Sequence, residues 1–294
     1  MSTSAFLSAR GPLALLVACA VWLASGLAPR SAPQPHRVIS LIPAVTEMVY
    51  AIGAGPQLVA VGSFDKYPPE VNALPRVGGL LDPDVERILS LKPDLMIVYG
   101  TQTDLRRQLE RAGIEQFSYT HGGLADVMTT IRALGARLGR AEQAERVAAD
   151  LDARLAAIRK RVAVRARPRT LLVFGREAMS LRGMFASGGI GFLHDMLETA
   201  GAENVFTDVE RESVQMTTEL VLQRAPQAIL ELRESVTSGQ IDAERSVWNA
   251  LVSVPAVRTG RVYILSDPSL TVPGPRVADA TELIARVLHP EAFR

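Results

Sequence analysis

The sequence predicts an α/β protein with two lobes of similar design, joined by one long helix. From His36 and again after Pro168, short apolar runs alternate with amphipathic segments, a pattern typical of mainly parallel sheets flanked by helices. Between these regions, from Leu124 to roughly Val164, the pattern stays helical. In addition, two segments of the first region resemble two segments of the second. These observations divide the chain into an N-terminal lobe, a backbone helix and a C-terminal lobe.

The first 35 residues precede the patterned sequence and are predicted to be an export segment followed by a linker. Gly11–Ala28 contains no charged residue. Within it, Leu16–Cys19 resembles a lipobox, which makes Cys19 a candidate for lipidation, whereas Ala24–Gly26 offers an ordinary cleavage site. The stretch is also close to the ~20 apolar residues that span a bilayer, so an uncleaved anchor is a third alternative. All three alternatives place the rest of the chain outside the cytoplasm.

The N-terminal lobe is predicted to cover residues 36–140. Short apolar runs predict its strands, and amphipathic segments predict the helices between them. The predicted strands are Arg37–Ile42, Leu58–Gly62, Asp94–Tyr99 and Gln116–Tyr119. The predicted helices are Thr46–Ile52, Asp84–Leu91 with Asp82 as its N-cap, and Asp104–Ala112.

The backbone helix is predicted for residues 141–165. Ala141–Val162 lacks glycine and proline, and its apolar residues recur on one face at helical spacing. At 1.5 Å per residue this helix is roughly 30 Å long, about the width of a small domain. A connection between two lobes is therefore a simpler interpretation than a coiled-coil arm.

The C-terminal lobe is predicted to cover residues 166–294, where the alternation resumes. Its predicted strands are Arg169–Phe174, Gln227–Leu232 and Arg261–Leu265. Its predicted helices are Gly191–Thr199, Met216–Arg224 and Val277–Leu288. The glycine-rich stretch Ser187–Leu193 lacks both nucleotide-binding glycine motifs, so it is predicted to be a tight turn that enters a helix.

Two pairs of segments indicate that the second lobe repeats the first. Val85–Val98 and Thr218–Glu231 each begin with a helix whose second residue is a glutamate and continue with a proline and an apolar run. The glutamates are Glu86 and Glu219, and the prolines are Pro93 and Pro226. The other pair is Thr46–Ala54 and His194–Ala202. The prolines are expected to end each helix before the next strand.

Composition and motifs argue against several classes of function. The 32 basic and 31 acidic residues nearly balance, so no nucleic-acid partner is expected. Cys19 is the only cysteine, and the histidines at positions 36, 121, 194 and 289 lack zinc-binding spacing, so no resident metal site is predicted. No G-x-S-x-G motif is present, and two similar lobes suit the capture of a small ligand in a cleft. We therefore predict a binding protein and no enzyme, with an exported two-lobed enzyme and an anchored sensor domain as alternatives.

Five motifs between His36 and Pro290 together resemble one family. They read R-V-I-S-L-I-P-A-V-T-E, F-D-K-Y-P-P-E, L-P-R-V-G-G-L-L-D-P-D-V-E-R-I-L-S-L-K-P-D-L, F-L-H-D-M-L-E-T-A-G-A-E-N-V-F and V-P-G-P-R. The combination is similar to the solute-binding proteins of ABC importers for cobalamin and iron chelates. This resemblance implies two Rossmann-like lobes joined by a rigid backbone helix, the class III periplasmic-binding-protein fold, with the ligand in the cleft.

The resemblance also implies a role for the repeated glutamates. In that family one glutamate on each lobe docks into an arginine pocket of each permease subunit, and these positions match Glu86 and Glu219. Either glutamate alone would be weak evidence for docking, because the helix dipole favours an acidic residue in the first turn of any helix. Two charges at equivalent positions suit a two-fold permease. The implied partner is a permease dimer with its ATPase subunits, and the protein itself is expected to be a monomer.

Candidate ligand-binding residues follow from the same resemblance. Phe64, Tyr99 and Phe174 stand at aromatic positions of the cobalamin-binding pocket, and Asp267 matches an aspartate of the cobalamin-binding member. Large aromatic surfaces supply much of the binding energy for such a ligand. The first prediction for the ligand is therefore a cobalamin-type corrinoid. No covalently bound cofactor is predicted.

A second class of ligand stays open because part of the stacking surface is missing. Gly79-Leu80 and Ser213 stand where the cobalamin-binding member has tryptophans. Arginines of the second lobe suit the oxygens of an anionic ferric chelate. The candidates are Arg176, Arg182 and Arg211. A ferric siderophore is the second prediction and haem the third, with no tyrosine or histidine predicted as a haem ligand.

Overall fold

The computed structural model describes Ser2, residues 34–233 and residues 236–294. The predicted export segment, including the lipobox and Cys19, lies outside these residues apart from Ser2 and the end of its linker. Residues 35–294 form one compact unit that contains two sheets. Within the described part of the chain, no helix is both long and apolar enough to cross a bilayer.

The N-terminal lobe is built on a parallel sheet, which has four strands among the described residues. These are β1 (Val38–Ser40), β2 (Leu58–Val61), β3 (Leu95–Tyr99) and β4 (Glu115–Tyr119), in the spatial order β2-β1-β3-β4. Parallel neighbours need crossover connections, and helices supply them. The helices are α1 (Pro43–Ala51), α2 (Val85–Ser90) and α3 (Thr103–Arg111). All three residues of β1 are buried, and β3 is a continuous apolar run, as expected for central strands that are buried on both faces.

The central helical region consists of two helices. α4 (Leu124–Arg137) and α5 (Ala141–Val162) are separated by a turn in which Gly139 has a φ of 67°. Gly135 lets the two helices pack closely, because a β-carbon at this position would overlap the Cβ of Ala144. The uninterrupted helical pattern in the sequence therefore hides a sharp reversal of the chain.

The C-terminal lobe has a mixed sheet. Its strands in the described residues are β5 (Arg169–Gly175), β6 (Met184–Ser187), β7 (Glu203–Asn204), β8 (Ser213–Met216), β9 (Ala228–Leu232) and β10 (Val262–Leu265). The order is β10-β9-β5-β6-β8, with β7 also beside β5. β6 pairs antiparallel with both β5 and β8, and the other pairs are parallel. The helices are α6 (Phe192–Thr199), α7 (Thr218–Arg224), α8 (Ser238–Ser246), α9 (Pro255–Arg258) and α10 (Val277–Leu288).

The antiparallel strands are a difference from the predicted parallel sheet. β6 and β8 are short, and β8 is mostly exposed, so neither gives the continuous apolar run of a central strand. The helix that was predicted for Met216–Arg224 begins at Thr218, two residues later than expected, because Met216 is the last residue of β8.

The repeated helices α2 and α7 begin in the same way. The side chain of Asp84 accepts a hydrogen bond from the backbone N–H of Arg87 at 2.9 Å. Thr217 accepts one from the backbone N–H of Leu220 at 3.4 Å. The predicted N-cap at Asp82 is therefore wrong, because the cap lies two residues later at Asp84.

The same two helices also end in the same way. Lys92 and Ala225 adopt left-handed conformations, with φ of 48° and 45°, directly before Pro93 and Pro226. A left-handed residue after the last turn is a common way to end a helix. The prolines thus follow the chain reversal at equivalent places in the two lobes.

A further pair of equivalent contacts joins the following strands to their neighbours. Asp94 accepts a hydrogen bond from the backbone N–H of Arg37 at 3.0 Å, beside the start of β1. Gln227 accepts one from the backbone N–H of Arg169 at 3.0 Å, at the start of β5. The repeat seen in the sequence therefore extends to side-chain contacts.

The lobes share a hydrophobic core. One continuous cluster includes side chains from the N-terminal sheet, from α5, α6 and α10, and from β5 and β9. The carboxylate of Asp195 in α6 also accepts a hydrogen bond from the backbone N–H of Leu124, at the start of α4, at 2.8 Å. Continuous packing of this kind favours small relative motions of the lobes, because close-packed interiors deform little.

Candidate functional site: the cleft between the lobes

Two adjacent cavities lie between the lobes. The N-side cavity has a volume of about 480 Å³ and is lined mainly by the N-terminal lobe and by residues 268–276. The C-side cavity, of about 280 Å³, is lined mainly by the C-terminal lobe. His121 and Thr271 line both cavities, which therefore form one cleft. Tyr99 ends β3 and Phe174 lies near the end of β5, so the cleft lies at the sheet edge where α/β proteins bind ligands.

A larger groove, of about 670 Å³, lies elsewhere on the C-terminal lobe. It is lined by Pro168, Gln227 and Arg261, which directly precede β5, β9 and β10. This is the amino-terminal edge of the parallel strands, opposite to the usual ligand-binding edge. We therefore place the functional site in the cleft.

A row of rings crosses the cleft from one lobe to the other. The rings of Tyr99 and Tyr119 lie 5.2 Å apart, and the ring of His121 lies 6.3 Å from that of Tyr119. The row ends at Phe192, the first residue of α6, whose ring is 5.2 Å from that of His121. Burial raises the pKa of both tyrosines, so their hydroxyl groups stay neutral. Of these residues, only Tyr99 was predicted from the sequence.

His121 stands at the centre of this row. Its Nδ1 lies 3.5 Å from the Tyr119 hydroxyl, and its half-buried ring lines both cavities. It was missed because scattered histidines carry no motif, and its position depends on the end of β4 meeting the start of α6. The alternation of β4 was a usable signal, since it indicated a strand that ends just before His121.

Phe64 lies at the open side of the N-side cavity. Its side chain is 67% exposed and lines the cavity with Tyr67 and Leu80. A β-carbon on Gly79 would lie 2.9 Å from the Phe64 ring, so the glycine makes room for this ring. Phe64 therefore fills part of the space beside Gly79, where a tryptophan side chain was expected.

Phe174 lines the C-side cavity. Its ring lies 6.5 Å from that of Phe185 in the neighbouring strand β6. Ser213, at the second position where a tryptophan was expected, lines the same cavity, as does Ile190. The missing indole thus leaves open space in the cleft.

An ion pair joins the lobes beside the N-side cavity. The guanidinium of Arg276 donates to both carboxylate oxygens of Glu47, at 2.9 and 2.6 Å, and lies 4.1 Å above the ring of Tyr67. Hydrogen bonding to Glu47 raises the pKa of Arg276. The pair was not predicted, because its members are 229 positions apart.

Arg176 does not face the cleft, which corrects the expectation from the sequence. Its fully buried guanidinium contacts Glu231 at 2.9 Å and Glu244 at 2.7 Å. Arg233 contacts the same two carboxylates at 3.0 and 2.7 Å. The four side chains form a buried ion-pair cluster, so Arg176 is committed to the core of the lobe. Because buried carboxylates need partners, Arg176 points inward.

Arg182 and Arg211 are exposed and lie outside both cavities. Asp267 accepts hydrogen bonds from the backbone N–H and the hydroxyl of Ser269, at 2.8 and 2.6 Å, which lower its pKa. It therefore caps the turn Pro268–Thr271, whose first and last residues line the cleft. This contact makes Asp267 a positioning residue for the cleft wall.

Glu86 and Glu219 lie in the first turns of α2 and α7, and both are exposed. Hydrogen bonds, the largest from the Thr217 side chain, lower the pKa of Glu219 and keep it ionised. Helices that lead into parallel strands run opposite to them, so these first turns lie at the same edge of each sheet as the cleft. The two carboxylates therefore lie on the side of the molecule where the ligand would enter and leave.

The described residues contain no cluster of three histidine, cysteine, aspartate or glutamate side chains suited to a metal ion. Lys66 and Glu212 add one positive and one negative side chain to the cleft lining, which is otherwise mainly apolar.

Two sheets around a ligand cleft define a two-lobed binding protein, and comparison with known proteins gives its family. Residues 38–268 match the periplasmic binding protein family, and the chain belongs to that family. It is 33% identical over 250 residues to the vitamin B12-binding protein of Salmonella typhimurium strain LT2, covering 84% of this chain and 87% of that protein. It is also 28% identical over 266 residues to an uncharacterized ABC transporter substrate-binding lipoprotein of Bacillus subtilis strain 168, covering 89% of this chain and 82% of that protein.

Solved structures agree with this assignment. The periplasmic vitamin B12-binding protein of Vibrio cholerae superposes with a TM-score of 0.75 at 27% identity, covering 88% of this chain and 98% of that chain. A periplasmic haem-binding protein of Pseudomonas aeruginosa gives a TM-score of 0.75 at 26% identity, covering 87% of this chain and 93% of that chain. These similarities confirm the predicted fold class and the predicted class of solute-binding protein. All these relatives are named as binding proteins, not as enzymes.

Proposed function

We propose that this protein is the extracytoplasmic solute-binding component of an ABC importer and captures a cobalamin-type corrinoid in its cleft. Its similarity to vitamin B12-binding proteins and to a substrate-binding lipoprotein supports this proposal. The ligand is delivered to a permease dimer with ATPase subunits, and the protein makes and breaks no covalent bond.

The row of rings across the cleft is the observation that carries the ligand class. Tyr99, His121 and Phe192 line the cleft, and Phe64 and Phe174 flank them. The buried ring of Tyr119 packs between those of Tyr99 and His121. Such surfaces suit a large, mostly apolar macrocycle. An anionic ferric siderophore has less support, because Arg176 is buried and Arg276 is bound by Glu47.

Fluorescence titration of residues 35–294 tests this proposal, since this segment forms one compact unit with its own core. The probes are cyanocobalamin, cobinamide, ferric hydroxamate and catecholate siderophores, and haemin. Saturable binding of a corrinoid at micromolar concentration or below, with no siderophore binding, is expected. Binding of a siderophore alone would contradict the proposal.

Haem is a second candidate, and His121 is the observation that favours it. Nδ1 of His121 faces the Tyr119 hydroxyl, which leaves Nε2 as the nitrogen available to an axial position of a metal macrocycle. If haem is the ligand, haemin added to the protein gives the Soret band of a histidine complex, and His121→Ala removes it. An unchanged haemin spectrum on addition of protein would dismiss this candidate.

Docking through Glu86 and Glu219 is part of the proposed function. The double variant Glu86→Ala/Glu219→Ala is expected to bind cyanocobalamin normally but to lose stimulation of the cognate permease ATPase. Glu142→Ala is the matched control, because Glu142 is also an exposed glutamate in the first turn of a helix. Full stimulation by the double variant would refute the docking assignment.

We also propose that the N-terminal segment exports the protein, with lipidation at Cys19 and simple cleavage as competing outcomes. Mass spectrometry of the protein purified from its native membranes distinguishes them. A lipid-modified N-terminal cysteine that disappears in Cys19→Ser supports lipidation, whereas an unmodified N-terminus after Ala24–Gly26 supports simple cleavage. An intact Met1 would support the anchor.

A further inference from the structure

Each of the proposed docking glutamates is followed three residues later by an exposed leucine. Leu89 is 40% exposed and Leu222 is 42% exposed. Residues three apart lie on the same face of a helix, about one turn from each other. Glu86 with Leu89, and Glu219 with Leu222, therefore form two exposed acidic-apolar pairs, which we call the docking pairs.

The docking pairs are conspicuous because neighbouring positions of the two helices differ between the lobes. Arg87 in α2 corresponds to Leu220 in α7, and Ser90 corresponds to Gln223. The positions between glutamate and leucine that face the core are similar, because Ile88 and Val221 are both buried. Core packing explains this last similarity, but it does not explain identical leucines that face solvent.

A single exposed leucine is ordinary and needs no explanation. Two at equivalent positions, each beside an exposed glutamate, indicate that one chain presents the same small surface twice. A partner with two copies of one receiving surface fits this arrangement, and a permease made of two identical subunits has that symmetry. Charge complementarity requires a basic group in each receiving surface, and the leucine requires an apolar contact next to it.

We propose that Leu89 and Leu222 are the apolar half of each docking contact and that each enters an apolar pocket beside the basic group that receives its glutamate. The proposal rests on the proposed importer function and adds a second determinant to the docking surface. The glutamates set the orientation and rate of encounter, because they act over a distance. The leucines extend the lifetime of the complex, because buried apolar contacts mainly slow dissociation.

The test measures binding of the full chain, loaded with cyanocobalamin, to the cognate permease-ATPase complex in lipid nanodiscs. The variants are Leu89→Ser, Leu222→Ser and the double variant, and Leu89→Met/Leu222→Met is the conservative control. Val164→Ser and Val252→Ser control for loss of an exposed apolar side chain elsewhere, since these valines are 87% and 70% exposed. Cyanocobalamin affinity, measured in parallel, reports whether each variant is folded.

Each serine variant is expected to weaken docking about tenfold, mainly by faster dissociation, and the double variant more strongly. The methionine variant and both valine variants stay within about twofold of the original protein. Raising the salt concentration weakens the contribution of Glu86 and Glu219 but leaves the leucine effect in place, because salt screens only the charges.

The outcomes separate this proposal from the docking assignment. If the double serine variant docks like the original protein while Glu86→Ala/Glu219→Ala does not, the leucine proposal is wrong and the glutamate assignment stands. If neither double variant changes docking, α2 and α7 are not the docking surface. If the cyanocobalamin-loaded original protein does not bind the permease at all, the proposed function itself is wrong.

Discussion

At one pair of equivalent positions, the N-terminal lobe buries an apolar side chain and the C-terminal lobe buries a charged one. Val98 in β3 and Glu231 in β9 occupy the same place in the repeat, and both are fully buried. Val98 packs in the apolar core of the N-terminal lobe. Glu231 contacts Arg176 and Arg233, and its second carboxylate oxygen accepts a hydrogen bond from the indole of Trp248 at 3.0 Å. A shared fold therefore does not fix the chemistry of its core.

The N-terminal lobe has a buried carboxylate of its own, but its environment differs. Asp65 lies between the cleft residues Phe64 and Lys66, and its carboxylate is buried. Burial raises its pKa to about 6, although Thr46 and Arg76 act in the opposite direction. The C-terminal lobe therefore compensates its buried carboxylates with arginines, whereas the N-terminal lobe compensates this one only in part.

The largest expected effect comes from breaking the ion-pair cluster. Glu231→Ala leaves two buried arginines with one carboxylate between them, and it should lower the free energy of unfolding by about 3–5 kcal/mol. Chemical denaturation of residues 35–294, followed by circular dichroism, measures this change. Val98→Ala at the equivalent position should cost only about 1–3 kcal/mol, because it removes two methyl groups and no charge partner. Equal losses at the two positions would contradict the difference between the lobes.

Neutralising the buried carboxylate of the N-terminal lobe should raise the free energy of unfolding instead of lowering it. Because the folded-state pKa of Asp65, about 6, exceeds its ordinary value of 3.8, the folded protein binds this proton more tightly than the unfolded chain. The resulting stabilisation is complete below pH 4 and is lost as the pH rises through 6. Asp65→Asn should therefore be more stable than the original protein at pH 8, by up to about 3 kcal/mol, and equally stable at pH 4.

Denaturation curves between pH 4 and pH 8 measure this difference. Asp82→Asn is a control, since Asp82 is an exposed aspartate of the same lobe. A variant that is less stable than the original protein at pH 8 would show that the charged form of Asp65 is stabilised in the folded lobe, as Glu231 is.

Much of the fold followed from the sequence because local patterns determine it. Buried central strands such as β3 give continuous apolar runs, and the repeated proline marks the same helix ending in each lobe. The antiparallel strands β6 and β8 were missed because they are short and partly exposed. The backbone helix begins at Ala141 as expected, but the sharp reversal before it was not predicted, because the helical pattern continues on both sides of Gly139.

The cleft was less predictable because its contacts join distant parts of the chain. Phe64, Tyr99 and Phe174 line it as family resemblance implied, whereas His121, Phe192 and Arg276 were found only in the structure. Arg176 shows the limit most clearly. Its sequence position beside the end of β5 suggested the cleft, but the buried partner Glu231 comes from another strand and holds it in the core. Sequence patterns place backbone elements, while side-chain partners decide which way a charge points.

A smaller effect is expected from the aromatic residues that each lobe contributes to the cleft. Phe64→Ala and Phe174→Ala remove one ring from each side of the cleft. Each should weaken cyanocobalamin binding about 5- to 30-fold, as expected when a contact of about 1–2 kcal/mol is lost. Fluorescence titration measures the affinities, and Phe293→Ala is the control because Phe293 lies outside the cleft. Loss of affinity for only one variant would mean that the ligand contacts a single lobe.

The smallest expected effect tests whether the two lobes have the same local strain. Lys92 and Ala225 hold left-handed conformations at equivalent helix ends. A side chain in this conformation costs roughly 1–2 kcal/mol, which glycine avoids, but glycine also gains freedom in the unfolded chain. Lys92→Gly and Ala225→Gly should therefore each stabilise the protein by about 0.5–1 kcal/mol, and by similar amounts. Thermal unfolding measures both changes; stabilisation at one site and destabilisation at the other would mean that the equivalence of the two lobes does not extend to the energetics of their helix ends.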